Sequence, residues 1–333
     1  MSERSSVQPR RWDYLNLLKF LACILITNSH CREIYPWYFL AVGGGHGNGL
    51  FFIVSGFLLA NIRLPFGEWI AKRTKRLLPV TGLFVLISIL LTEGIGYLAG
   101  VGAVQACLLL INKYWFVAAI LLYYPLYYLI FSSKNRRIPA AALIAWAIGY
   151  ALIYVFLVDK TGFTIELEGF YPFKVLFYFG IFLMGGLLRR SLDQAKGFFE
   201  KSGRWSWLAG AAAASVLWAA VYAAVMVLGR GFEVQFLIHA GVFCFSVSLF
   251  MFAYKFRTVQ LPDAWWAKAV KAAAESTLEI YLLQVTIQKY VVHWPFPVNW
   301  IVFWGCAFGG GILIHQVFGW LEDRLSRKPA KSR

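Results

Sequence analysis

The chain has little charge, little acid and nothing that would link separate folded units. Only 14% of its 333 residues are charged, with 16 Asp and Glu against 32 Lys and Arg. A soluble globule of this size needs far more polar surface. The five cysteines, Cys23, Cys31, Cys107, Cys244 and Cys306, form no CxxC pair and no even framework, so neither a disulfide scaffold nor a zinc site is supported. No tandem repeat or low-complexity linker is present. No small-residue cleavage site follows the first apolar segment, which is therefore expected to remain as a span.

What is present is apolar: 60% of the residues are hydrophobic and 18% aromatic. The fold class expected is an all-α integral membrane protein with about ten helices in one bundle, each segment judged against the ~20 residues that cross a bilayer. The segments lie at about 14–31, 47–62, 77–97, 114–131, 139–158, 172–188, 205–228, 234–254, 275–292 and 299–320. A shorter apolar run at 101–111 is expected as a re-entrant or interfacial helix on the outer side. One membrane domain over 12–322 is expected, flanked by basic tails at 1–11 and 323–333.

A net charge of +16 would suit nucleic acid, but the placement of the charges argues for a membrane instead. The alternate segments beginning with the N-terminal tail hold most of the Lys and Arg, whereas the others hold only Arg32, Lys113, Lys160 and Arg230. That asymmetry places both termini in the cytoplasm and makes lipid, rather than nucleic acid, the partner of the basic surface. The outer loop at 159–170 is acidic, with Glu166 and Glu168.

The first segment interrupts its apolar surface with Asn16, Lys19, Cys23, Thr27 and His30. On a helix these fall within an arc of roughly 80°. Ionisable groups at membrane depth are costly and usually face a bundle interior, so Lys19 and His30 are candidate functional residues. At 1.5 Å per residue they lie about 16 Å apart on nearly one face. Cys31 points about 100° away from that stripe and is ranked well below His30 as a nucleophile.

Further along, GGGHGNG at 43–49 follows no strand and lacks the Lys-Ser/Thr ending of a phosphate loop, so it is expected to be a pliable turn into the second helix. Ser55 and Gly56 are small enough for close helix packing, and Ser55 can alternatively hydrogen-bond a substrate or His30. Lys72, Arg73 and Arg76 lie on adjacent helix faces next to the cytoplasmic surface. They suit either anionic lipid or the phosphates of a soluble donor. Trp115 fits an aromatic belt, and Lys174 either snorkels outward or meets an acidic partner. A ninth helix beginning at Glu275 carries Glu279, Tyr281, Gln284, Gln288 and Lys289, too many polar groups for a lipid-facing span. His239 and His315 stand alone on apolar helices and read as satisfied interior histidines; no metal site is expected.

Together these motifs resemble the membrane-bound acyltransferase family 3, which includes bacterial cell-surface polysaccharide O-acetyltransferases. Lys19 and His30 stand where that family has an Arg, ten residues and a His. Phe51, Phe52, Ser55, Gly56 and Phe57 are similar to its aromatic Ser-Gly-Phe motif, and Arg73, Arg76, Leu77, Leu78 and Pro79 to its basic motif. Trp115-Phe116 with Tyr123 and Pro125, and 276–283, also look like family motifs. The lysine at 19 keeps the family's charge without the planar guanidinium fork. Gln284 stands where many relatives have a histidine.

The resemblance implies an enzyme of the bacterial cytoplasmic membrane that transfers an acetyl group from cytoplasmic acetyl-CoA to a glycan hydroxyl at the outer face, with no permanently bound cofactor. It implies His30 as base or transient acyl carrier, imidazole being the only side chain suited to either role near neutral pH. It further implies Lys19 at the donor or oxyanion, Lys72, Arg73 and Arg76 at the CoA phosphates, and Asn28, Ser55, Trp115, Glu279 and Gln284 at the substrate. A transporter or flippase for a lipid-linked glycan or small solute is the alternative, with Lys19, His30 and the ninth helix lining its path.

Overall fold

The computed structural model describes residues 12–92, 105, 108, 111–166, 169, 171–192 and 201–326. Among them every regular element is helical. The first helix, α1 (Asp13–Ser29), starts with an acid in its first turn, where the N-terminal helix dipole favours it. The Asp13 carboxylate also accepts the Leu261 backbone N–H at 2.9 Å, which ties this end of α1 to a distant loop.

Beyond α1 the chain folds back through a short 3-10 turn, Tyr38–Leu40, and enters α2 (Gly44–Leu59). The glycine-rich stretch expected as a pliable turn is therefore helical from Gly44 onward. Only Gly43 is the turn, with φ of 104°, and a Cβ there would lie 2.9 Å from Leu25. Conformation and space both demand glycine at this position.

α3 (Phe66–Thr92) carries the basic segment and the following apolar segment in one helix, with Pro79 inside it. Then come α4 (Trp115–Phe131), α5 (Arg137–Phe156) and α6 (Pro172–Leu192). α7 (Arg204–Met226) and α8 (Phe236–Tyr254) follow. α2 packs directly on α6: a Cβ on Gly56 would come within 1.9 Å of Phe182 O, and one on Gly185 within 2.1 Å of Ile53 O. Backbone meets backbone at this crossing, the close approach that small residues allow in membrane bundles. The Tyr127 hydroxyl of α4 donates to Gly56 O at 2.6 Å and adds a third helix to the junction.

The expected ninth helix, 275–292, is one helix, Thr277–Val291, and its first residue, Glu275, belongs to a separate helix that precedes it. α9 (Trp265–Glu275) buries Ala267, Ala273 and Ala274 and exposes Trp265. Ser276 interrupts, and α10 (Thr277–Val291) follows. Glu275 thus belongs to an amphipathic helix, separate from the apolar α10. The alanine spacing of α9 gave it a narrow buried face that hydropathy alone does not register. The chain ends in α11 (Val298–Gly305), a π-helical turn at Cys306–Gly310 and α12 (Gly311–Ser326).

A helix overlaps each of the ten expected segments, but among the described residues six stretches are long and apolar enough to cross a membrane. These are 38–59, 137–156, 172–192, 204–226, 232–254 and 298–324. α1, α4 and α10 have 17, 17 and 15 residues, short of the usual crossing length. The expected short helix at 101–111 falls mainly outside the described residues.

Candidate active site

Helical periodicity alone gathers the walls of a cavity of 410 Å³ between α1, α2, α3, α4 and α10. α1 contributes Lys19, Cys23 and Thr27; α2 contributes Phe51, Ser55 and Leu58; α4 contributes Phe116, Ile120 and Tyr124. α10 contributes Thr277, Tyr281 and Gln284, spaced four and then three residues apart. Such spacing keeps side chains on one helix face, so each element presents one stripe to a shared space. Ser55 faces that space while Gly56, about 100° further round, faces α6.

The two ends of the cavity differ chemically. Lys19, Lys72, Arg73 and Arg76 gather near the beginnings of α1 and α3. Arg76 donates to Glu275 O at 3.4 Å, at the last turn of α9. The Arg73 guanidinium lies 5.3 Å from the Trp69 ring centre, and among the described residues its buried Nε has no hydrogen-bond acceptor. Arginine presents its N–H groups as a planar fork, and a buried donor without an acceptor is costly, so this end suits an anion. At the other end the Thr27 hydroxyl donates to Gln284 Oε1 at 2.8 Å, and Phe116 and Tyr281 line the same cavity. The cavity therefore runs from cations to a small neutral polar group among rings.

Six expected site residues meet there: Lys19, Ser55, Lys72, Arg73, Arg76 and Gln284. The other four lie outside its wall. His30 caps α1 one turn beyond Thr27, its backbone N–H donating to Thr27 O at 3.2 Å. The Asn28 amide donates to Leu40 O at 2.8 Å and Val42 O at 2.9 Å, and its oxygen accepts from the Tyr35 hydroxyl at 2.7 Å. Asn28 thereby holds the returning loop over the end of α1. Glu279 points toward α12, its Oε1 lying 2.8 Å from His315 Nδ1. Cys31 is fully buried in a separate cluster with Ile34, Val291 and Phe303.

Trp115 belongs to a second polar group at the end of the bundle where α1 stops and α2, α4 and α6 begin. Lys174 Nζ stands 4.3 Å over its ring centre. The loop residue Glu166 reaches in, with Oε1 at 3.3 Å from both the Tyr178 hydroxyl and His239 Nε2. His239 Nδ1 lies 2.9 Å from the Tyr150 hydroxyl, and its ring stacks on Phe177 at 3.8 Å between centres. The imidazole thus stands between the Glu166 carboxylate and the Tyr150 hydroxyl. Burial pushes the Glu166 carboxyl up, but the hydrogen bond and charge of His239, then the charge of Lys174, hold it below its ordinary range.

Sequence reasoning placed Thr27 on the polar stripe of α1 but missed Tyr124 as a wall residue, although helical spacing from Phe116 points to it. It also missed the Glu166–His239 contact, for which no local signal exists across 73 positions. Among the described residues no three His, Cys, Asp or Glu side chains gather to hold a metal ion.

No curated protein and no solved structure matches the chain at a significant level. The acyltransferase 3 family model, described as an acyltransferase domain, matches residues 12–320. That span contains every helix that builds the cavity and the second polar group, and by it the chain belongs to acyltransferase family 3.

Proposed function

We propose that the chain transfers an acyl group, acetyl in the first instance, from cytoplasmic acyl-CoA to a hydroxyl of a cell-surface or lipid-linked glycan. In this reading it is a multi-pass enzyme of the bacterial cytoplasmic membrane with both termini in the cytoplasm. The observation that carries the reading is the chemical polarity of the 410 Å³ cavity, basic at one end and neutral at the end nearest His30. Arg73, Arg76 and Lys72 take the CoA phosphates, for which guanidinium forks and ammonium groups are suited. Lys19, about 16 Å from His30 along α1, joins them at the donor rather than at the reacting carbonyl. The apolar length between the two ends holds the pantetheine arm, and Thr27 brings the thioester to within about one turn, ~5 Å, of His30.

His30 acts on the acceptor from that position. As base, it takes the hydroxyl proton while the oxygen attacks the thioester carbonyl carbon; the C–S bond then breaks, and the CoA thiolate takes the proton from the imidazolium. As carrier, an imidazole nitrogen attacks first, CoA leaves, and the acyl-imidazole passes its acyl group to the hydroxyl oxygen. Incubation with labelled donor in the absence of acceptor separates the two routes, because only the second then leaves label on protein.

The test is transfer of labelled acetyl from acetyl-CoA to surface glycan in membranes carrying the wild type or His30→Ala, with insertion of both verified. Loss of labelling in the variant, with CoA binding retained, is expected. Equal labelling by both would remove His30 from the chemistry, and an absence of labelling by the wild type would remove the acetyl-transfer reading.

A further inference from the structure

Gln284 is fully buried, and the chain uses only one end of its amide. Oε1 accepts from the Thr27 hydroxyl at 2.8 Å, which ties α10 to α1. Nε2, which carries two N–H donors, is buried too, and among the described residues it meets no hydrogen-bond acceptor. A buried donor in that state is costly, so it calls for an acceptor that the described chain does not supply.

The surroundings narrow what that acceptor is. Gln284 lines the neutral end of the 410 Å³ cavity with Thr27, Phe116 and Tyr281, and the described wall holds no Asp or Glu. The last torsion of a Gln side chain is broad, so Nε2 can follow an acceptor that enters this end. Lys19 lies about 12 Å before Thr27 along α1 at 1.5 Å per residue, and so belongs to the opposite end. A neutral donor away from the cations suits a neutral carbonyl oxygen. An anion is drawn to the basic end instead, and a hydroxyl would bring a proton that needs an acceptor of its own.

We propose that the Nε2–H groups of Gln284 bind the acyl-carbonyl oxygen of the thioester donor, which makes Gln284 a catalytic residue beside His30. The inference rests on the acyl-transfer reading and gives the reacting carbonyl its partner. Attack on the carbonyl carbon, by the acceptor oxygen or by the His30 imidazole, moves the C=O π pair onto the carbonyl oxygen. The amide is in place before the attack and then faces a full negative charge rather than a dipole, so the contact strengthens in the transition state. As the pair returns, the C–S bond breaks and CoA leaves as thiolate, taking a proton from the imidazolium ring in either route. In the carrier route the acceptor's hydroxyl proton then passes to the freed imidazole.

The experiment titrates the full chain in maltoside detergent with acetyl-CoA and with S-ethyl-CoA, a thioether that has a CH2 group in place of the carbonyl. Wild type is expected to bind acetyl-CoA about tenfold more tightly than the thioether. Gln284→Leu is expected to bind the two alike, with the thioether bound as in wild type, and to lower kcat for labelled acetyl transfer about a hundredfold. Thr27→Val with Gln284→Leu, which strands neither partner of the pair, repeats the test should the single variant misfold. Equal binding of the two compounds by wild type, or a preference that survives in both variants, would overturn the proposal. Wild type that transfers acetyl without that preference loses only the Gln284 contact. Wild type that prefers acetyl-CoA yet transfers nothing keeps the contact and loses the acyl-transfer reading, and binding of neither compound removes both.

Discussion

The two ends of the bundle solve the problem of charge near a membrane in opposite ways. The 410 Å³ cavity collects Lys19, Lys72, Arg73 and Arg76 without a carboxylate in its described wall. The opposite end sets Lys174 beside Glu166 and gives the same carboxylate His239 and Tyr178 as partners. Its charge is balanced by the chain's own groups. An unbalanced cluster stores affinity for an external anion, whereas a balanced cluster fixes the positions of the elements that supply it. Changes at the balanced end should therefore appear mainly in stability, and those at the basic end mainly in ligand affinity.

The largest expected effect comes from Glu166→Ala. It leaves the buried Lys174 without that counter-charge and removes the carboxylate partner of His239, at a cost of about 3 kcal/mol. Thermal unfolding in detergent should register the loss, and an unchanged Tm would show that the contacts of Glu166 are incidental. Acid sharpens the same comparison. The folded Glu166 carboxyl is held below its ordinary value of 4.5, so its contribution is complete above that pH and is lost as pH falls through the lower folded value. The Tm gap between wild type and Glu166→Gln should accordingly narrow below about pH 4.5; a gap that widens there would reverse the assigned sign.

At the basic end, Arg73→Ala and Arg76→Ala are each expected to raise KM for acetyl-CoA about tenfold with little change in kcat. Relief of like-charge repulsion should leave Tm no lower than in the wild type. A several-degree fall in Tm without a change in KM would mean that this cluster holds the fold, which would erase the contrast between the two ends.

The basic end was legible in the sequence because its chemistry follows helix periodicity. Lys19 and Thr27 share the stripe of α1, Arg73 and Arg76 are three apart on α3, and Gln284 follows Tyr281 on α10. Lipid-facing apolar residues set the background against which these groups stand out. The balanced end was not legible, because Glu166 comes from a loop and meets His239 only after α6, α7 and α8 have packed. No local spacing encodes that meeting. For the same reason His239 and His315 looked isolated, although each has a carboxylate close by from another element. The break at Ser276 was also hidden, since Glu275 and Glu279 are four apart and read as one face of one helix.

The smallest effect lies at the neutral end of the 410 Å³ cavity and tests whether that end is polar for structural reasons. Thr27 donates to Gln284 Oε1 at 2.8 Å, and Gln284 is fully buried. Thr27→Val keeps the shape but leaves that oxygen without its donor, at about 1–2 kcal/mol. Adding Gln284→Leu removes the stranded partner, so the double variant should be more stable than Thr27→Val alone. Buried pairs behave this way because an unmet polar group costs more than an absent pair. If the double variant regains stability but loses acetyl transfer, the pair is kept for the reacting end of the substrate. Full retention of transfer would reduce it to a packing contact and leave His30 to act alone at that end.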